Sequence, residues 1–68
     1  MTRIFLVGGL ERVDVRFDRA LEVLGAKVLA YDRNEHWLMV KKTEADAAVH
    51  VLMYHGIAAE IRTTPDST

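Results

Sequence analysis

The apolar residues in the first half of the chain change their spacing at glycines. Residues 3–7 (Arg-Ile-Phe-Leu-Val) include a continuous apolar run that a glycine pair ends, which is typical of a buried strand. Over residues 10–24 the apolar positions recur with helical spacing, and charged residues separate them, so we predict an amphipathic helix. We expect Asp14 to cap this helix and Gly25 to end it in a left-handed conformation. The predicted inner face, an arc about 100° wide, comprises Val13, Phe17, Ala20, Leu21 and Leu24.

The second half of the chain repeats the change between extended and helical patterns. Residues 27–31 and 36–41 flank a polar turn, which predicts an antiparallel hairpin. We expect Thr43 to cap a second helix that runs to His55, and residues 57–62 to form a short fourth strand. The predicted inner face of the second helix comprises Ala45, Ala48, Val49 and Leu52.

The order of these elements is strand, helix, strand, strand, helix, strand. Two right-handed βαβ crossovers joined by a hairpin give a four-stranded antiparallel sheet with both helices on one face. This is the ferredoxin-like sandwich of the α+β class. We assign residues 1–62 to a single domain of this kind and residues 63–68 to a disordered polar tail.

A sheet covered by helices on one face only is expected to alternate apolar and polar residues along each strand, but these strands are apolar on both faces. If alternate residues of the first strand face the helices, Phe5 and Val7 lie on the uncovered face. The same reasoning puts Trp37 and Met39 beside them, because the first and third strands are neighbours in this topology. An apolar patch of this kind normally marks a binding surface.

Two further tyrosines are candidate binding residues. The second strand adds either Tyr31 with Leu29 or Ala30 with Val28 to the uncovered face. Tyr54 lies on the outer arc of the second helix, which is less polar than a solvated helix face, and tyrosine is enriched in protein interfaces.

Composition removes several classes of function. The chain has 68 residues, no cysteine and a formal net charge of −1, which excludes a disulfide scaffold, a thiolate metal site and a cysteine nucleophile. Its apolar runs are shorter than the ~20 residues of a membrane span, so we expect no membrane partner. Residues 1–3 lead into an apolar run with no small-residue cleavage site, so we predict no signal peptide and a cytoplasmic protein.

We find no pattern of residues that predicts catalysis, a metal site or a cofactor. His50 and His55 are about 140° apart on a helix, whereas a metalloprotease helix places its histidines on one face. Ser67 lies in the tail, and Asp14 and Asp18 lie on the polar side of the first helix, where solvated charge is ordinary. We therefore predict that the protein is not an enzyme, although a catalytic site assembled between subunits is a third hypothesis beside the two binding functions given below.

Residues 4–9 (Ile-Phe-Leu-Val-Gly-Gly) resemble the first-strand motif of the RNA-recognition motif, a family with the same βαββαβ order. In that family an aromatic residue at the position of Phe5 stacks on a base, and the third strand supplies two more aromatic residues. Trp37 matches one of these positions, whereas Met39 occupies the other. The resemblance implies RNA binding, but a net charge of −1 is unfavourable for it. The cations available for phosphate contacts are Arg3, Lys27, Lys41 and Lys42.

Residues 4–32 also resemble the first half of a bacterial Rossmann-like family. That resemblance implies a phosphate held by the Gly8-Gly9 turn at the helix N-terminus, with Asp32 on a ribose. The turn lacks the third glycine of the dinucleotide motif, and the chain is short for a doubly wound sheet. A tight strand-to-helix turn is the favoured interpretation of the glycine pair.

Together these patterns predict a small regulatory or accessory protein, such as a phage-type inhibitor, that binds another protein and self-associates. RNA or single-stranded nucleic-acid binding through the uncovered sheet face is the alternative.

Overall fold

The structure is a computed structural model of the 68-residue chain, and it describes residues 1–62. The predicted tail, residues 63–68, lies outside the described residues. The regular elements are β1 (Thr2–Gly8), α1 (Val13–Leu24), β2 (Ala30–Asp32), β3 (Trp37–Val40), α2 (Ala45–Tyr54) and β4 (Ala58–Arg62). The strands form one sheet in the order β2-β3-β1-β4, with every neighbouring pair antiparallel. The fold is therefore the ferredoxin-like βαββαβ arrangement that the sequence predicts.

One apolar core lies between the sheet and the two helices. The inward positions of the central strands, among them Ile4 and Leu38 at 0% exposure, pack against the predicted inner faces of both helices. The buried apolar residues of the core are Ile4, Leu6, Phe17, Ala20, Leu24, Leu38, Val40, Ala45, Ala48, Leu52 and Ile57. The remaining predicted inner residues of the helices, Val13, Leu21 and Val49, are partly buried against it. The prediction of both inner faces is confirmed.

The helix N-termini differ from the prediction. The residue before α1 is Arg12, which has a left-handed backbone (φ 53°) and makes no side-chain cap. Asp14 lies inside the first turn of α1, so the prediction that it caps the helix is wrong. Residues 42–44 form a short 3-10 turn before α2, and this turn takes Thr43 out of the cap position. The carboxylate of Asp14 still lies near the positive end of the α1 dipole, where negative charge is favourable.

Strand β2 begins at Ala30, later than the sequence pattern suggests. Gly25 ends α1 with a positive φ (56°), but its ψ of −128° lies outside the predicted left-handed conformation. The chain then forms a 3-10 turn over residues 25–27 and does not enter the sheet at once. The amide of Val28 donates to the Gly25 carbonyl oxygen (3.2 Å), which holds this turn.

The glycine pair lies at the end of β1, where Gly8 is the last strand residue and Gly9 begins a tight turn with a close backbone approach. Gly9 has a φ of 67°, and a Cβ atom built on it would lie 2.0 Å from the carbonyl oxygen of Gly56. Both neighbours of β1 in the sheet, β3 and β4, run antiparallel to it. The Rossmann-like interpretation, which needs a parallel sheet, is therefore wrong, and the turn interpretation accounts for both glycines.

Candidate functional site

The sheet surface opposite the helices carries a two-row array of side chains that we call the open face. Because Ile4 and Leu38 point into the core, the alternate residues of β1 and β3 point away from it. The strand register then aligns the side chains across all four strands. In the order β2, β3, β1, β4, the first row is Ala30, Met39, Arg3 and Arg62, and the second row is Asp32, Trp37, Phe5 and Glu60.

The centre of the open face is aromatic. Phe5 lies directly opposite Trp37 across the two central strands, and Met39 lies one row away on β3. Val7 is 53% exposed at the end of β1, where the register with β4 shifts, and it belongs to neither row. Three of the four residues that the sequence predicts for this face, Phe5, Trp37 and Met39, are therefore together on it.

Two arginines lie against these rings. The Cζ atom of Arg3 lies 4.5 Å from the centroid of Trp37 and 6.0 Å from that of Phe5. The Cζ atom of Arg62 lies 4.4 Å from the centroid of Phe5. At these distances each guanidinium makes a cation–π contact, which contributes about 0.5–1 kcal/mol at an exposed site. The contacts explain why Phe5 and Trp37 are only partly exposed although no helix covers them.

Some charged side chains on the open face have partners within the chain, and others do not. Arg62 pairs with Glu60 on the same strand (3.2 Å). The Oδ1 atom of Asp32 accepts the backbone N–H groups of Asn34 and Glu35 (2.9 and 3.1 Å) and so holds the hairpin turn. Within residues 1–62, Arg3 has no carboxylate partner, and its Nε atom is buried without a hydrogen-bond acceptor. The buried Nε–H group without an acceptor is costly to the single chain. The positive charge of the guanidinium, unpaired within the same residues, is the feature that a partner of this face can use.

The other predicted phosphate contacts lie outside the rows. Lys27 pairs with Glu44 (3.5 Å), and Lys41 lines the same shallow groove. Lys42 belongs to the 3-10 turn before α2. Of the four predicted cations, only Arg3 belongs to the open face, although Arg62 joins it from β4.

Tyr31 lies on the opposite side of the sheet from Phe5 and Trp37. It is aligned with Leu38, whose side chain is in the core, and its ring meets that of Phe17 edge to face at 6.0 Å. Of the two alternatives that the sequence leaves for β2, neither is right as a whole: Ala30 lies on the open face, but Val28 precedes β2 and packs against the core. The register of β2 with β3, which aligns Ala30 with Met39 and Tyr31 with Leu38, produces this outcome.

Tyr31 instead lines a groove of about 660 Å³ between α1 and β2. Arg33, whose Cζ atom lies 5.7 Å from the Tyr31 ring centroid, forms an ion pair with Asp18 across this groove. The Asp18 carboxylate raises the pKa of Arg33 above its ordinary value by bonding to the charged guanidinium. Both charges of the groove are exposed, so this pair contributes little to stability.

Tyr54 is 88% exposed on the outer side of α2, away from the open face. It shares a hollow of about 350 Å³ with Val23, Val51 and two histidines, and we call this surface the helix patch. The Nδ1–H groups of His50 and His55 donate to backbone carbonyls one turn earlier in α2, each at 2.8 Å. The six predicted binding residues thus lie in four places: three in the rows of the open face, Val7 at the irregular end of β1, Tyr31 in the groove and Tyr54 in the helix patch.

Neither a metal cluster nor a membrane span is present in the part of the chain that the structure describes. Residues 1–62 contain no group of three or more His, Asp or Glu side chains placed to hold a metal ion. Among the same residues, neither helix is long and apolar enough to cross a membrane.

Comparison with models of protein families, with curated proteins and with solved structures finds no match to this chain. The resemblance to the RNA-recognition motif therefore remains a prediction, and the function must be argued from the surfaces described above.

Proposed function

We propose that the chain is a small, non-enzymatic cytoplasmic protein that acts by protein binding through its open face, and that it self-associates through that face. The observation that carries the proposal is the central Phe5–Trp37 pair, which no helix covers and against which Arg3 and Arg62 lie. Phe, Trp, Met and Arg are the residue types enriched at protein interfaces. The open face combines all four in two adjacent rows.

Burial of this face supplies the driving force. A chain of 68 residues has a small core and gains stability from any further apolar surface that it buries. Transfer of apolar area from water stabilises a complex by about 25 cal/mol per Å² before the costs of association. Met39, Phe5 and Trp37 lie side by side at the centre of the sheet, where a partner excludes water most completely.

The size of the face sets the expected strength. Four strands about 4.8 Å apart and five residues rising about 3.4 Å each make a surface of roughly 19 by 17 Å. Even with the relief of the side chains, this area is smaller than the roughly 800 Å² per partner of a standard stable interface. We therefore expect a reversible dimer with a dissociation constant in the micromolar range.

Sedimentation of the wild type over a range of micromolar concentrations tests the proposal, with Trp37→Lys as the disrupting variant. The wild type should shift from monomer to dimer with concentration, and Trp37→Lys should remain monomeric with an unchanged far-ultraviolet circular dichroism spectrum. Val15→Lys is the matched control, because it places the same charge at an exposed apolar position of α1. A wild type that stays monomeric, or a dimer that Tyr54→Lys dissociates and Trp37→Lys does not, contradicts the proposal.

Nucleic-acid binding is the second candidate, and one observation favours it. Phe5 and Trp37 are neighbours on the two central strands, where aromatic rings can stack on bases. Beside them Arg3 has no carboxylate partner among residues 1–62, so its charge is free to attract a phosphate. The net charge of −1 and the pairing of Arg62 with Glu60 leave a weak electrostatic field for it. We rank this function below protein binding for that reason.

Titration with labelled single-stranded RNA pools at low and physiological salt separates the two candidates. Stacking contributes about 1–3 kcal/mol per base, and two aromatic residues should give only weak binding that salt abolishes. Submicromolar affinity that survives physiological salt and is lost in Phe5→Ala would place RNA binding first.

A further inference from the structure

We infer that two copies of the chain pair open face to open face around a two-fold axis that runs across the strands. This inference rests on the self-association proposed above and specifies its geometry. The observation behind it is the arrangement of charges in the two rows: both arginines are in the first row, and both carboxylates are in the second.

Two symmetric pairings bring the sheets together with their strands aligned. Aligned packing of two sheets keeps the mean strand directions within about 30°. If the axis runs along the strands, midway between β3 and β1, each row of one copy lies over the same row of the other copy, and the strand order is reversed. If the axis runs across the strands, between the two rows, each strand of one copy lies over the same strand of the other copy, and the first row lies over the second. The register of the sheet decides which side chains meet in each case.

The axis along the strands brings like charges together. It sets Asp32 of one copy against Glu60 of the other, since both belong to the second row. It leaves Arg62 facing Ala30, and it places Arg3 of one copy one strand away from Arg3 of the other. Like charges in close contact at an interface are strongly unfavourable, so this pairing is disfavoured.

The axis across the strands brings opposite charges together, and symmetry repeats each contact. Arg62 of each copy faces Glu60 of the other, so the two internal ion pairs become a ring of four alternating charges. Met39 faces Trp37 of the second copy, which is a favourable sulfur–aromatic contact. Of the two arrangements, only this one sets opposite charges of the open face against each other.

The same pairing also brings a carboxylate near the Arg3 guanidinium. Arg3 then faces Phe5 of the second copy, and Glu60 of the second copy lies one strand away, about 4.8 Å to the side. The positive charge of Arg3, which has no carboxylate partner among residues 1–62 of the single chain, thus gains a negative charge beside it. The burial of this guanidinium in an interface is thereby compensated.

Charge variants of β4 test the axis by sedimentation equilibrium. Glu60→Arg sets the introduced guanidinium against Arg62 of the other copy and should weaken the dimer at least about ten-fold, and Arg62→Glu should do the same for the opposite reason. The double variant Glu60→Arg/Arg62→Glu restores opposite charges and should recover the wild-type dissociation constant. Glu22→Arg on α1 is the matched control, since it makes the same change of charge on the other side of the sheet and should leave the constant unchanged.

The alternative axis makes the opposite prediction for one of these variants. With the axis along the strands, Glu60→Arg sets an arginine against Asp32 and tightens the dimer. That result, or a dimer that neither single variant changes, overturns the inference while self-association stands. A wild type that stays monomeric at all concentrations overturns both.

Isotope-filtered NOEs in a mixed dimer of labelled and unlabelled wild-type chains give the answer without any substitution. Contacts between the Met39 methyl group of one copy and the Trp37 indole of the other support the axis across the strands. Contacts between Trp37 of one copy and Phe5 of the other, without the Met39 contacts, overturn it.

Discussion

The two faces of the central strands are similarly apolar, but they differ in what lies over them. On the inner face, Ile4 and Leu38 are fully buried beneath the helices. On the open face, Phe5 and Trp37 occupy the neighbouring positions of the same strands, and only arginine side chains lie over them. Arginine can cover an aromatic ring and still keep its charge in water. The two apolar faces are thus covered in different ways, one by helices and the other by charged side chains.

The largest effect on stability is expected for a substitution on the inner face of the sheet. Leu38→Ala should lower the free energy of unfolding by about 2–5 kcal/mol, because it leaves a cavity under both helices. In a domain of this size that loss approaches the whole stability. The neighbouring change Trp37→Ala should cost much less in the monomer and instead abolish the dimer. Urea titration at a concentration where the chain is monomeric measures both, and equal losses would show that the open face belongs to the core.

A smaller effect is expected for the contact between Arg3 and the ring of Trp37. A double-mutant cycle of Arg3→Leu and Trp37→Leu should give a coupling energy of about 0.5–1 kcal/mol, the usual strength of an exposed cation–π contact. The cycle of Arg19→Leu with Trp37→Leu is the control, because Arg19 is an exposed residue of α1. Coupling that is no larger for Arg3 than for Arg19 would mean that the guanidinium only rests near the ring.

The smallest effect concerns the turn that sets the side of the sheet on which Trp37 lies. His36 precedes β3 and has a left-handed backbone (φ 58°), which is unfavourable for a residue with a Cβ atom. His36→Gly relieves that strain but adds disorder to the unfolded chain, so we expect a gain in stability below about 1 kcal/mol. Thermal unfolding measures the change, and a clear loss of stability would show that the imidazole makes a contact that the turn needs.

Periodicity predicts the parts of this structure that depend on burial. The inner faces of both helices, the strand order and the positions of Phe5 and Trp37 follow from spacing alone, because the core selects them. The caps do not follow, since short 3-10 and left-handed turns replace the expected Asp14 and Thr43 caps. Local hydrogen bonds near helix ends have several solutions of similar energy, and sequence spacing does not distinguish them.

The charged part of the site was missed for a different reason. The register of β4 with β1 sets Arg62 and Glu60 opposite Arg3 and Phe5, in the part of β1 before its irregularity between Leu6 and Gly8. Spacing along the sequence indicates the face of a strand residue but not its partner on the next strand. The facing of Tyr31 also depends on register, since residues 28–31 are apolar in both alternating sets and only the pairing of Tyr31 with Leu38 decides between them.

The close approach between Gly9 and the carbonyl of Gly56 has a consequence for how this sequence can vary. Gly9 and Gly25 both have positive φ, but a Cβ atom at Gly25 would meet nothing within 4 Å, whereas at Gly9 it would collide with backbone. At Gly25 the backbone angles (φ 56°, ψ −128°) are themselves unfavourable for a residue with a Cβ atom, so a substitution there should cost stability without a collision. Position 9 should accept glycine alone, because the backbone angle and the collision act together there. A saturation library selected for folded protein should therefore keep some other residues at position 25 under mild selection and none at position 9.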